Sequence, residues 1–294
     1  PTATIPQGTD IQALERLCRA DFEQACARVL WIRPKDEALC RLQLLWPQRY
    51  VYRRYLKPAW ERKEALGLVV LKTRRIFMTT LFMAWLYHKV RWYKGINAYV
   101  LANDDPTLAD VYGMAQRFHS NLPVDFVPPV ERNNTEVLAY AAPWDCSLRA
   151  RVAKHEQIGR GTTLQAVLWD EAAFSPAPEV TLLGFLDAVP RTSASLLAIN
   201  STANGEGSWF QAIWNEMNKP GGSELGGRRW QTVFLAAWQN PHNRLANVVV
   251  HDLDDYEQDL VERFHVDDAF LAWRRASVNE YERLFPGSGA RSFK

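Results

Sequence analysis

The sequence predicts an α/β domain built on a mostly parallel, doubly wound sheet flanked by helices. Three observations predict it. Short apolar runs of strand length recur at residues 68–71, 98–102, 165–169, 195–200 and 232–236. Helical patterns over 79–92 and 106–121 follow the first two of these runs, and strands alternating with helices imply βαβ units. Nearly half of the 294 residues are hydrophobic and about a quarter are charged, with 12 Trp, which excludes a disordered chain and supplies a sizeable core.

The remaining elements follow in order. Ile11, Leu14, Leu17, Phe22, Ala25 and Val29 recur at helical spacing behind Thr9 or Asp10 as an N-cap, so one amphipathic helix is expected over 10–30. A second helical stretch is expected over 47–66, interrupted near Pro58. The Pro- and Asn-rich stretch 123–135 and the Gly-rich stretch 220–227 read as surface loops. A helix after Ser208 carries Phe210, Ile213, Trp214 and Met217. From Asp252 onward Leu253, Tyr256, Leu260 and Phe264, then Phe270, Trp273, Val278 and Tyr281, describe a small helical appendage. The expected organisation is an N-terminal helical segment over 1–60, a core over 61–245 and a helical lid or linker over 246–294.

Composition narrows the function. A formal net charge of +2 leaves room only for a local, modest contact with nucleic acid. Cys18, Cys26, Cys40 and Cys146 lack CxxC spacing and neighbouring histidine pairs; reduced thiols of a cytosolic protein are expected, not zinc or disulfides. No apolar run approaches the ~18 residues that span a bilayer, and no signal peptide is visible.

In parallel sheets, ligands bind where strands end and helices begin. The first strand ends in LKTRRIFMTT and opens a helix, the place of a phosphate-binding loop, where backbone N–H groups and a helix N-terminus cradle phosphates. Set on the pattern G-x-x-x-x-G-K-[ST], Lys72 and Phe77 stand for the glycines, Met78 for the lysine and Thr79 for the hydroxyl. Three of the four positions depart from it, and a strand followed by a basic helix start explains the run equally well. The strand at 165–169 delivers Asp170 and Glu171 in AVLWDEAAF. Adjacent carboxylates at a strand tip point in different directions, so Asp170 can hold a magnesium shell while Glu171 orients a water. The plainer alternative is an acidic start to a helix. The strand at 195–200 ends in Ser201, Thr202, Ala203, Asn204 and Gly205, small polar groups suited to sensing a γ-phosphate, or simply a turn.

Together these strand ends run phosphate loop, carboxylate pair, polar sensor, the layout of a RecA-like ATPase. The runs LKTRRIFMTT, GRGTTLQAVLWDEAAF, INSTANGEGSWFQAIW and FLAWRR resemble the large terminase subunits of tailed bacteriophages, over roughly residues 40–294. The resemblance implies a RecA-like (ASCE-type) P-loop ATPase that packages viral DNA, with ATP and Mg²⁺ as cofactors. It places Lys72 as the displaced Walker A cation, Arg75 as a second phosphate contact flanked by Arg74, and Thr79, with Thr80 beside it, as the Mg²⁺ hydroxyl. Gln48 stands where the family reads adenine, Asp170 and Glu171 match Walker B, and Ser201, Thr202 and Asn204 match the coupling motif. Arg160 is placed like an arginine finger reaching a neighbouring subunit; a surface loop arginine is the alternative. Phe77 departs from the family, which has Gly there. A nuclease domain normally follows, and the chain ends about where it would begin, so no nuclease activity is expected of these residues.

The implied partners are double-stranded DNA, the portal protein of the procapsid, the small terminase subunit and other copies of the chain in a ring, pentameric during packaging, in the host cytoplasm. Arg49, Arg53, Arg54, Lys57, Arg62 and Lys63 interleave with Tyr50, Tyr52, Tyr55 and Trp60, which suits a grip on a nucleic-acid backbone or a solvated helix with an aromatic core face. By analogy, Trp273, Arg274 and Arg275 would be the hinge of a lever. Another RecA-like translocase or helicase, and a portal-docking module that no longer hydrolyses ATP, are the competing readings.

Overall fold

A computed structural model describes residues 10–34, 38–153, 163–191, 193–220 and 223–287. The chain forms two compact units, divided between Phe234 and Leu235.

The first unit opens with two short helices, not one: α1 (Ile11–Ala20) and α2 (Phe22–Val29). Asp21 makes the break. Its N–H closes α1 on the carbonyl of Leu17, while its carboxylate accepts from Gln24 N and caps α2, as a short acidic side chain does at an N-cap. A two-stranded antiparallel pair, β1 (Trp31–Ile32) and β2 (Cys40–Arg41), follows. The interruption expected near Pro58 is a π-helical turn (Tyr52–Leu56) between α3 (Trp46–Val51) and α4 (Lys57–Glu61). Pro58 sits in the first turn of α4. It cannot donate to the preceding turn and would crowd it, and the wider π-turn accommodates that loss.

Next come β3 (Ala65–Lys72), α5 (Met78–Trp92), β4 (Asn97–Ala102) and α6 (Asp105–Ser120). They are followed by β5 (Val130–Asn133), β6 (Val137–Tyr140), β7 (Cys146–Val152), β8 (Ala166–Asp170) and α7 (Pro178–Ala188). The unit ends with β9 (Ser195–Ser201), α8 (Trp209–Met217), β10 (Ser223–Leu225) and β11 (Arg228–Leu235), whose last residue crosses the division. The described strands form a sheet in the order β10-β11-β3-β9-β8-β4-β7-β6-β5. Its centre, from β3 to β7, is parallel, the α/β arrangement that the alternation of elements implied. Two expectations are corrected: stretches read as loops contain β5 and β10, and both take part in antiparallel edges.

One face of the sheet carries Val69, Val167, Trp169, Leu197 and Ile199, packed with Phe185 of α7 and Phe210 of α8. Side chains alternate between faces, so Val70, Asp170 and Asn200 turn to the other face, where α5 packs against β4, β7 and β8. That helix is buried on nearly every side from Leu81 to Trp92, including His88, Lys89 and Arg91. Gly67 is needed at its place: a Cβ there would lie 2.4 Å from the Trp230 ring.

The second unit is helical, with α9 (Asp255–Phe264) and α10 (Asp268–Leu284) around Leu260, Val266, Phe270 and Leu271. Glu257, almost fully buried, accepts from both Arg274 and Arg275. Arg275 also donates to the carbonyls of His251 and Asp252. These arginines therefore pin α10 to the start of α9 within the unit.

Candidate active site

The register of the parallel strands builds the site. Leu71 pairs with Ser201, Val70 with Asn200 and Asn200 with Asp170. The ends of β3, β9 and β8 therefore lie side by side at one edge, carrying Lys72, Ser201 and Asp170. The three strand tips meet as their order in the sequence implied.

The loop from Lys72 to Phe77 joins β3 to α5. Arg74 and Arg75 are exposed on it, while Ile76 is fully buried and anchors its middle. Arg75 and Phe77 have φ of 58° and 60°, the left-handed region that favours glycine. The Phe77 backbone is thus the conformation a glycine would supply, held by a residue that incurs about 1–2 kcal/mol of strain. Its ring remains 41% exposed. Buried Gln48 secures the turn. Its Nε2 donates to the Phe77 carbonyl at 2.8 Å, and its Oε1 accepts from Leu45 N at 2.8 Å. These two bonds use one N–H and one lone pair of the amide, which leaves a second N–H and a second lone pair for a base edge.

Thr79 lies in the first turn of α5, with Thr80 half-buried beside it. The Thr79 hydroxyl lies 3.0 Å from each carboxylate oxygen of Asp170. Asp170 is only 2% exposed, and burial raises its pKa against the opposing charge of Lys72 and the hydrogen bonds from Asn200 and Thr79. A hydroxyl and a buried carboxylate converging at a helix N-terminus are hard oxygen donors suited to Mg²⁺. That ion is usually held by one or two carboxylates together with substrate phosphates. No group of three or more His, Cys, Asp or Glu able to hold a metal occurs among the described residues.

Glu171 turns out of the strand with φ of 49°. Its Oε1 accepts from Lys72 Nζ at 2.7 Å. Its Oε2 lies 3.4–3.5 Å from the Ser201 hydroxyl, the Thr202 hydroxyl and Thr202 N. The Ser201 oxygen also accepts from Ala173 N at 3.2 Å, and Asn204 Nδ2 donates to the Ala173 carbonyl at 2.9 Å. The polar segment 201–204 is thereby stitched to the turn after the carboxylate pair. One member of the site was missed by motif reading: Asn200, fully buried, donates from Nδ2 to Asp170 Oδ1. Its signal was a lone amide closing the apolar run LLAIN. Arg160 lies outside the described residues.

In the basic-aromatic stretch Arg49, Arg53, Arg54, Lys57, Arg62 and Lys63 are exposed, while part of the aromatic side packs inward. Arg53, Lys57 and Arg62 pair with Glu23, Glu61 and Glu64. Trp60 packs edge-on against Trp85 and Tyr93, and Tyr52 is buried. Among the described residues, no helix is long and apolar enough to cross a membrane.

No protein-family model matches the chain, and no curated protein matches it. Solved structures do. The ATPase domain of the large terminase of Thermus phage P74-26 is 16% identical, with a TM-score of 0.48, over 79% of this chain and 88% of that one. The large terminase of bacteriophage HK97 is 14% identical, with a TM-score of 0.57, over 91% of this chain and 53% of that one. A large terminase from a thermophilic bacteriophage, in complex with ADP, is 13% identical, with a TM-score of 0.47, over 83% of this chain and 51% of that one. The likeness to the HK97 protein shows a shared α/β fold, and this chain spans about half of that terminase.

Proposed function

We propose that this chain is the ATP-hydrolysing motor portion of a viral large terminase, which uses ATP and Mg²⁺ to drive double-stranded DNA into a procapsid. The observation that carries the chemical part is the meeting of the strand ends: Thr79 against Asp170 at 3.0 Å and Lys72 against Glu171 at 2.7 Å. Lys72, Arg74 and Arg75 hold the β- and γ-phosphates, with the N–H groups opening α5 adding a fixed positive field. Thr79 and Asp170 hold the metal, which when bound neutralises charge on the phosphates. Glu171 orients the attacking water. Phosphoryl transfer requires little beyond such positioning and neutralisation. Ser201, Thr202 and Asn204 relay the change in Glu171 to their own segment. Arg160 acts across a ring of copies docked on the portal in the host cytoplasm, with the small subunit delivering DNA.

Equilibrium binding of a non-hydrolysable ATP analogue, with and without Mg²⁺, tests the pocket, and steady-state turnover tests the chemistry. Magnesium-dependent nucleotide binding with measurable hydrolysis is expected. One observation favours a second reading, a docking module without turnover: Phe77 at the glycine position, in left-handed backbone. A protein that binds no nucleotide at millimolar concentration would support that reading and end the first.

A further inference from the structure

We propose that Asn200 is a positioning residue for the metal site. It holds Asp170 with its amide N–H and offers its carbonyl oxygen to the water shell of the bound cation. The inference rests on the reading of Thr79 and Asp170 as the magnesium pair, and adds a residue that no motif assigns.

Three observations carry it. Asn200 and Asp170 are register partners on adjacent parallel strands, so their side chains leave the same face of the sheet side by side. Asn200 Nδ2 donates to Asp170 Oδ1. An ionised carboxylate only accepts, which fixes which end of the amide faces it. The other end, Asn200 Oδ1, is buried with no hydrogen-bond partner among the described residues.

A fully buried acceptor left unpaired is costly, and native proteins rarely keep one without a use. A residue needed only to fill the space beneath the carboxylate would be apolar. The neighbouring donors are already engaged: the Thr79 hydroxyl faces Asp170 and the Lys72 ammonium faces Glu171. Magnesium sheds its hydration reluctantly and usually keeps several waters. Each such water has O–H groups that require acceptors. Asn200 Oδ1 is a free acceptor on the residue that already grips the metal carboxylate. Outer-shell partners of this kind orient the ligand and tune the affinity for the ion.

The test compares Asn200→Ala with Asn200→Leu in the full chain. The leucine keeps the branched shape and the number of heavy atoms and removes both polar ends. Three quantities are read: the melting transition, the affinity for a non-hydrolysable ATP analogue in EDTA, and the affinity of Mn²⁺ for the nucleotide complex by electron paramagnetic resonance. Both variants are expected to weaken the metal by about 10–100-fold, with metal-free nucleotide affinity unchanged. Wild-type metal affinity in Asn200→Leu would overturn the proposal, since a residue that merely fills space is replaced by a hydrocarbon. If Asn200→Ala loses its melting transition, Asn200→Leu alone decides. Failure of the wild-type protein to bind Mn²⁺ with nucleotide overturns the motor reading and this inference together. Normal wild-type binding with unaffected variants overturns only the inference.

Discussion

Lys72 Nζ and Glu171 Oε1, 99 residues apart in sequence, stand 2.7 Å apart at the tips of β3 and β8. The proposed phosphate cation and the proposed water-orienting carboxylate neutralise one another in this state. A triphosphate must therefore compete with Glu171 for Lys72, and its arrival would free the carboxylate. Substitutions at the two ends should differ in effect. Glu171→Gln is expected to lower turnover by about 10²–10⁴-fold while leaving nucleotide affinity equal to wild type or tighter. Lys72→Ala should weaken binding itself. Turnover assays beside equilibrium binding separate the two, and wild-type turnover in Glu171→Gln would remove that residue from the chemistry.

Asp170→Asn should raise the thermal stability of the nucleotide-free protein while abolishing magnesium-dependent binding. Burial raises the pKa of Asp170, which means that the folded state disfavours its ionised form. An amide of the same shape removes that cost and can still meet Asn200 and Thr79, a common trade of stability against function. A fall in melting temperature for Asp170→Asn at neutral pH would contradict this account.

Phe77→Gly should be nearly neutral for stability. Removing a core phenylalanine ordinarily costs about 3–5 kcal/mol, but this ring is 41% exposed and its backbone is left-handed. Relief of about 1–2 kcal/mol of strain offsets the lost contacts and the added freedom of the unfolded chain. Denaturant unfolding should place the variant within about 1 kcal/mol of wild type. Tighter analogue binding by the same variant would show that the ring crowds the phosphates.

His88 confers an acid sensitivity. The ring lies on α5, with Nε2 2.8 Å from the Cys18 carbonyl, and since a carbonyl only accepts, Nε2 carries the proton. Burial, and then the charge of Lys89, holds its pKa well below 6.5, against the hydrogen bond to Cys18. As pH falls through about 6.5, the unfolded chain takes up a proton that the folded chain refuses, so stability declines. His88→Phe should flatten this component, and the gap in melting temperature between wild type and variant should shift in favour of the variant from pH 7.5 to 5.5. A gap independent of pH would show that the fold does not shift the titration of His88.

The parts legible in the sequence were those with strong local contrast. AVLWD is apolar without a break and ends on a charge, so both the central strand and its acidic tip stand out. The antiparallel edge did not. In β7, exposed Arg149 and Arg151 alternate with buried Leu148 and Ala150, and β6 has only four residues, too short a pattern to separate from a loop. Asp21 was read as a helix interior because an N-cap and a helical residue differ only in the backbone around them. The bond from Gln48 to Phe77 and the grip of Asn200 on Asp170 span 29 and 30 residues, and no spacing rule within one element reveals them.

The in-step alignment of β3, β9 and β8 also dictates where the chain tolerates a change in length. A residue added within 195–200 would turn Asn200 to the opposite side of the sheet and carry Ser201 past Glu171, disarming the pocket without touching any of its side chains. Residues added between α7 and β9 would only lengthen a connection, at a small entropic penalty. Relatives of this chain should therefore vary in that connection while keeping a fixed count from the start of β9 to Asn200.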